Sequence, residues 1–421
     1  MNWAERDLKV IWHPYTQMQT AAPPIPIVRG EGALLFDDKG TVYLDAVSSW
    51  WVNIHGHSHP YIAQKVSQQL QTLEHVIFAG FTHPTAIQLA EGLLAILPKN
   101  QQKVFYSDNG STAVEVALKM CMQFWSNQGK PRTKIVAFHN AYHGDTFGAM
   151  SVSARSAFTA SFDRYLFEVE FIDLPSEENL ETLYHQLSII SHELICFIFE
   201  PLVQGSAGML MYEAEYLNKL MAHCRKEGIL MIADEVMTGF GRTGKRFACD
   251  YLQEKPDLMC FSKGLTGGTM PLGITTCTNQ IYEAFLSDDK LKTLFHGHSF
   301  TANPVACAAA LASLELFLQP ETMKNIERIC KRHQFFADKN SIHPKLKSIR
   351  QTGTILAMEF NADSGTSYFS NLRDQLYQFF LGKNIILRPL GNIIYFLTPY
   401  CITDLQLDQL YAAVQDALET F

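Results

Sequence analysis

What this chain of 421 residues lacks removes several classes of function before any motif is considered. Positive charge is in deficit, with 34 Lys and Arg against 42 Asp and Glu for a net charge of -8. That balance argues against nucleic acid as a partner, because binding it needs a basic face. No apolar run approaches the roughly 20 residues that span a bilayer. The N-terminus, MNWAERDLKVIWHPYTQM, has no continuous apolar stretch, so no signal peptide is expected. The nine cysteines never form a CxxC. An odd number without paired spacing predicts free thiols in a reducing cytoplasm, with neither a disulfide framework nor a structural zinc. Internal repeats and low-complexity segments are absent too.

What is present is an ordinary globular composition, 47% hydrophobic and 18% charged, in a chain longer than one core usually organises. Apolar strands are expected at 104–107, 135–138, 195–199, 229–233, 258–262 and 272–276, with helices between most of them. That alternation predicts an α/β fold whose large, mostly parallel sheet is covered on both faces. Residues 1–49 read as an irregular arm and a hairpin turning at Asp37-Asp38-Lys39-Gly40, and 311–421 as helices with short strands. The expected division is therefore a large domain over 50–310 and a smaller α+β domain built from both chain ends.

Three features stand at strand ends. In LMCFSKGLTGG, Lys263 follows a buried strand, where an unpaired cation must reach solvent, find a partner or lose its proton. A neutral lysine is a nucleophile able to form a Schiff base. In GILMIADEVMTGFGRTGK, an apolar strand delivers Asp234, a carboxylate that requires a cation. In VFYSDNGSTAVEVALKM, a strand turns through Asp108-Asn109-Gly110 into a helix whose free N–H groups favour an anion, with Thr112 and Glu115 at capping-box spacing. Ligands gather at the carboxyl ends of such strands. Pyridoxal 5'-phosphate needs these three things together: an amine, a partner for its ring nitrogen and a phosphate site.

Two decoys accompany them. Residues 239–245 satisfy both GxxxxGK and GxGxxG, yet Arg246 stands where a phosphate loop needs Ser or Thr, and no clear helix opens there. A glycine-rich turn carrying Arg242 to a pocket is the better account. His55, His57 and His59 alternate, but no carboxylate or cysteine lies at ligand spacing, so no metal is expected. Trp50-Trp51 reads equally as core or as pocket wall.

ADEVMTGFGRTG followed by FSKGLTGG resembles the class III, fold-type I aminotransferases that use pyridoxal phosphate. WHPYTQM at 12–18, SSWW at 48–51, NAYHGDTFGAMSV at 140–152, EPLVQGSAGM at 200–209 and RPLG at 388–391 extend the likeness to the branch that aminates 8-amino-7-oxononanoate in biotin synthesis. The resemblance implies that Lys263 carries the cofactor and moves the proton, while Asp234 pairs with the ring nitrogen. It gives Gly110 and Ser111 the phosphate, and Tyr142 the ring face. His298 and Ser299, in HGHSF, reach the phosphate from the partner in a homodimer; closer relatives often have Pro-Thr there. Arg388 grips the substrate carboxylate, Tyr15, Trp50 and Tyr142 line the pocket, Gly297 leaves space beside it, and Arg242 and Asp145 stand behind. Tyr15 in HPYT favours S-adenosylmethionine as amino donor, whereas HGHSF is shared more with a lysine-using branch. A general ω-amino-acid or ornithine-type aminotransferase and, from another class, a nucleotide-binding oxidoreductase remain the alternatives.

Overall fold

The computed structural model describes residues 2–362 and 371–421. Its centre is a seven-stranded sheet: β1 (Lys103–Ser107), β2 (Lys134–Phe138), β3 (Glu170–Ile172), β4 (Leu194–Phe199), β5 (Leu230–Asp234), β6 (Leu258–Phe261) and β7 (Gly273–Cys277). Across the sheet they run β1-β7-β6-β5-β4-β2-β3. Side chains of β6 alternate between two cores, Leu258 and Cys260 joining the helix Gly110–Asn127 while Met259 and Phe261 join the opposite one. Both faces are covered, so β4 and β5 are apolar and buried almost throughout, without a polar side.

Four neighbouring pairs are parallel, but β7 runs antiparallel to both β6 and β1. The reason is local. The link from Phe261 to Gly273 contains only a short 3-10 turn, Lys263–Thr266, and a parallel return needs a crossover of a dozen residues or more, usually a helix. The chain therefore doubles back beside its own strand, and the hydroxyl of Ser262 donates to the carbonyl of Leu272 at 2.7 Å.

The chain ends meet in a second layer. Strands Ile27–Glu31, Leu34–Asp37 and Val42–Asp45 form an antiparallel meander, and Ile385–Ile386 adds parallel to the last of them. Leu346–Thr352, Ile355–Phe360 and Ile393–Phe396 form a separate antiparallel sheet. The strand Ile27–Glu31 and a short helix, Trp3–Asp7, lie in the stretch expected to be irregular; both are too short and exposed to leave a periodic signal. Among the described residues no helix is long and apolar enough to cross a membrane.

One correction concerns the helix Gly110–Asn127. Its capping box is Asn109 with Thr112, not Thr112 with Glu115. Glu115 instead accepts from the hydroxyl of Thr146 at 2.6 Å and the amide of Gly148 at 2.7 Å, capping the neighbouring helix Phe147–Ser151.

Candidate active site

A cavity of about 1270 Å³ opens at the carboxyl ends of these strands, and Lys263 lies in its wall. The lysine has a left-handed backbone, φ 46°, and its ammonium lies 4.5 Å above the ring of Trp51. Such a conformation strains a residue that carries a Cβ and persists only where the surroundings hold it. Gly267 and Gly268 complete the turn with φ of 62° and 79°, and a Cβ on Gly268 would sit 2.9 Å from the backbone of Asn53. Burial pushes the Lys263 amine down to about 8, against the opposing pull of Asp234 and Glu200.

Asp234 ends β5 in the same cavity. One carboxylate oxygen meets His143 Nδ1 at 2.7 Å and the other accepts from the amide of Val236 at 3.0 Å. His143 Nε2 is buried without a partner, so the ring has no competing bond to turn it from the aspartate. Glu200 directly follows β4, as Asp234 ends β5. It is fully buried, accepts from the amides of Tyr142 and Gly205 at 3.0 Å each, and burial pushes its carboxyl up to about 7.

On another wall, Asn109, Gly110 and Ser111 open the 18-residue helix Gly110–Asn127 towards the cavity. A Cβ on Gly110 would come 2.8 Å from the Val236 side chain, and one on Gly144 would come 2.1 Å from the Ser111 hydroxyl, so only glycine fits at either position. At the mouth, the Arg388 guanidinium lies 4.3 Å over the Trp50 ring and 5.8 Å from that of Tyr15. Tyr15 donates to Asp145 and meets Trp50 and Phe158 edge-on. Burial and that carboxylate push the Tyr15 phenol up to about 12.

Residues 15–418 match the aminotransferase class-III family. The chain belongs to the class-III aminotransferases. It is 46% identical over 419 residues to the adenosylmethionine-8-amino-7-oxononanoate aminotransferase of Synechococcus elongatus, with 97% of this chain and 98% of that one covered. The crystal structure of the enzyme of that name from Methanocaldococcus jannaschii superposes with a TM-score of 0.93 at 37% identity, covering 98% of each chain. An omega transaminase from Pseudomonas jessenii, in complex with PMP, gives 0.92 at 27% identity, with 100% of this chain and 98% of that one covered. The mixed sheet with its layer from both chain ends is the fold-type I architecture.

In this aminotransferase, Lys263, Asp234, Gly110, Ser111, Tyr142, Tyr15, Trp50 and Arg388 all line one cavity. Gly297, His298 and Ser299 do not. They lie outside it, on a turn closed by His298 and Thr301 and flanked by exposed Phe295 and Phe300. Arg242 stops short of the cavity as well. The glycine-rich turn carries it beneath Trp51, where it donates to the carbonyl of Thr398 at 2.7 Å. Two of the alternating histidines find protein partners, His55 the carbonyl of Ser313 and His57 the carboxylate of Asp45, while Nδ1 of His59 is buried without one. Trp51 resolves the open question about the tryptophan pair by doing both jobs, buried in the core and facing Lys263.

His143, Glu200, Arg350 and Glu359 also line the cavity and were not singled out by sequence. Glu200 carried the same signal as Asp234, a carboxylate at the end of an apolar strand. The other three carried none.

The turn beneath Trp51 yields a stability prediction. Gly353 has φ +59°, and a Cβ there would lie 2.1 Å from the backbone of Thr243 and 2.3 Å from that of Gly244. Backbone cannot move aside as a flexible side chain can. Gly353→Ala is expected to cost about 3 kcal/mol or more from overpacking and the left-handed conformation together. Equilibrium denaturation measures it, and an unchanged midpoint would contradict the packing.

Proposed function

We propose that this aminotransferase binds pyridoxal 5'-phosphate and converts 8-amino-7-oxononanoate to 7,8-diaminononanoate, a step of biotin synthesis, with S-adenosylmethionine as amino donor. The observation that carries the reading is a Lys263 whose amine desolvation lowers to about 8, sharing one cavity with the buried Asp234. The residues present fit the cofactor. The Lys263 amine would hold its aldehyde, Asp234 its ring nitrogen, Tyr142 an aromatic face, and the bare turn at Gly110-Ser111 its phosphate. Pyridoxal phosphate supplies an electron sink for the pair left when a proton leaves the amine-bearing carbon. Lys263 Nζ moves that proton, which it does only as a neutral base. His143 and the Val236 amide hold the two oxygens of Asp234 in place. Arg388, fixed over Trp50, offers a two-pronged site for the substrate carboxylate. The aromatic mouth of Tyr15, Trp50 and Phe158 with Asp145 supports a donor that pairs a flat ring with positive charge.

We also propose a homodimer, in which the partner's copy of the 297–299 turn completes the phosphate side. Exposed Leu291, Phe295 and Phe300 around that turn support it. Nine unpaired cysteines support a cytoplasmic location.

Two measurements test the reaction. Borohydride treatment of the protein loaded with pyridoxal phosphate should fix the label on Lys263. The loaded enzyme with S-adenosylmethionine and the keto acid should then give the diamine by mass spectrometry. Reaction with lysine alone would overturn the donor, and no amination of this ketone with either donor would overturn the acceptor.

A pH prediction follows from the lowered amine. Only neutral Lys263 attacks an aldehyde, so capture of pyridoxal phosphate by the cofactor-free chain should rise with pH and level off above about 8. The rise should be about tenfold per pH unit below that point. Stopped-flow absorbance measures it, and a plateau reached only above pH 10 would mean an unperturbed lysine.

A further inference from the structure

The loop Gly205–Met209 forms part of the cavity wall through Ser206, Ala207 and Gly208. It joins two very short strands, Val203–Gln204 and Leu210–Met211. A two-rung hairpin does not hold itself, so its position must be set from outside.

One end is fixed from the large domain, where Gly205 donates to Glu200 and packs against the Trp51 ring, to which a Cβ would come within 3.1 Å. The other end is fixed from the strand Leu346–Thr352. Ser348, Arg350 and Thr352 share one face of that strand, as a period of two requires. Arg350 Nε donates to the carbonyl of Met209 at 3.0 Å and Nη2 to that of Gly208 at 2.6 Å. Its Nη1 donates to the hydroxyl of Ser348 at 2.6 Å and to Glu359 Oε2 at 3.1 Å. Thr352 meets the sulfur of Met211. Gly208 is left-handed, φ +76°, and a Cβ there would strike Ile393 Cδ1 at 2.2 Å, so the loop is pressed onto the small sheet as bare backbone.

Glu359 gives the guanidinium its orientation and balances its charge. Its side chain is 10% exposed and that of Arg350 18%, and Lys347 pairs with the other carboxylate oxygen at 2.8 Å. A planar fork held at several donors is a rigid brace, which a lysine at the same place cannot reproduce.

We propose that Arg350, oriented by Glu359, is a positioning residue that sets the width of the substrate lobe between the 205–209 loop and Arg388. The inference rests on the reading above in one respect, that the acceptor's carboxylate lies at Arg388. With the brace intact, the loop holds one distance from that arginine, so an acceptor of the right length spans from Lys263 to Arg388. The hydrogen bonds of Arg350 go to Met209, Gly208, Ser348 and Glu359 and not to Lys263, so its loss should weaken binding and spare chemistry.

The test uses the full-length protein and Arg350→Lys, with Glu359→Gln as the second variant. Amide hydrogen exchange, measured without substrate, should show at least tenfold faster exchange over 203–211 in Arg350→Lys. Exchange over 346–360 should stay within twofold of the parent, and Glu359→Gln should shift the same segment by less. In turnover, KM for the keto acid should rise about tenfold with kcat within twofold. Unchanged exchange over 203–211 would overturn the brace, and loss of protection over 346–360 as well would make Arg350 a general structural residue. A loosened loop in a protein that does not aminate this acceptor would count against the assigned substrate and leave the brace standing.

Discussion

Lys263→Met is expected to abolish amine transfer and, at neutral pH, to make the chain more stable. Methionine keeps the unbranched stem and is only one atom shorter than lysine, so the wall of the cavity keeps its shape. The amine proposed to hold the cofactor and move the proton is gone, and turnover should fall by about 10⁴-fold or more, combining the loss of nucleophile and base. Stability moves the other way because the fold holds this amine at about 8 against an ordinary 10.5. Folding therefore opposes the charged form. The penalty is present in full below about pH 8, shrinks as pH rises, and is gone above 10.5. The drop corresponds to about 3 kcal/mol at neutral pH, an upper figure for what the substitution recovers. Equilibrium denaturation at pH 7 and at pH 10 measures both limbs. A variant that is less stable at pH 7, or whose gain grows with pH, would contradict the burial of the charge.

Asp234→Asn is expected to lower turnover by about 10³-fold while making aldehyde capture easier at neutral pH. The amide keeps the shape of the carboxylate and its bond to His143, but not its charge. Removing one partner of a buried ion pair costs roughly 3–5 kcal/mol, which spans two to four powers of ten in rate. The second effect has the opposite sign. Asp234 holds the Lys263 amine up against burial, so without it the amine falls below about 8 and more of it is neutral at pH 7. The capture profile should move to lower pH as turnover collapses. A misfolded variant would lose both, and a conservative surface change would move neither.

These two residues were legible because each puts charge at the end of an apolar strand, a signal contained within a dozen residues. The turn at Gly110 was legible for the same reason, with a glycine and a helix start adjacent in the chain. The distribution of strands was equally local, and each expected strand of the large sheet appears within a residue or two of its place. The direction of β7 was not, since an apolar strand reads the same both ways and only the short link after Lys263 turns it back.

The remaining parts of the site depend on contacts between distant stretches. Tyr15 reaches Asp145 across 130 positions, and Arg350 reaches Met209 across 141. Neither end of such a bond announces the other, because an arginine on an alternating strand looks like any exposed charge. His143 was hidden in the same way, as a polar residue in a loop until the fold set it against Asp234.

Sequence by itself determined the fold class and singled out the lysine, the aspartate and the turn at Gly110 as candidates, because apolar periodicity and the cost of a buried charge act on neighbouring residues. Only the tertiary structure decided that Lys263 sits over Trp51 with its proton weakened, that Glu200 and His143 close round Asp234, and that Arg350 braces the facing wall. Burial and hydrogen bonding set those properties, and both come from residues that the chain brings together only when it folds.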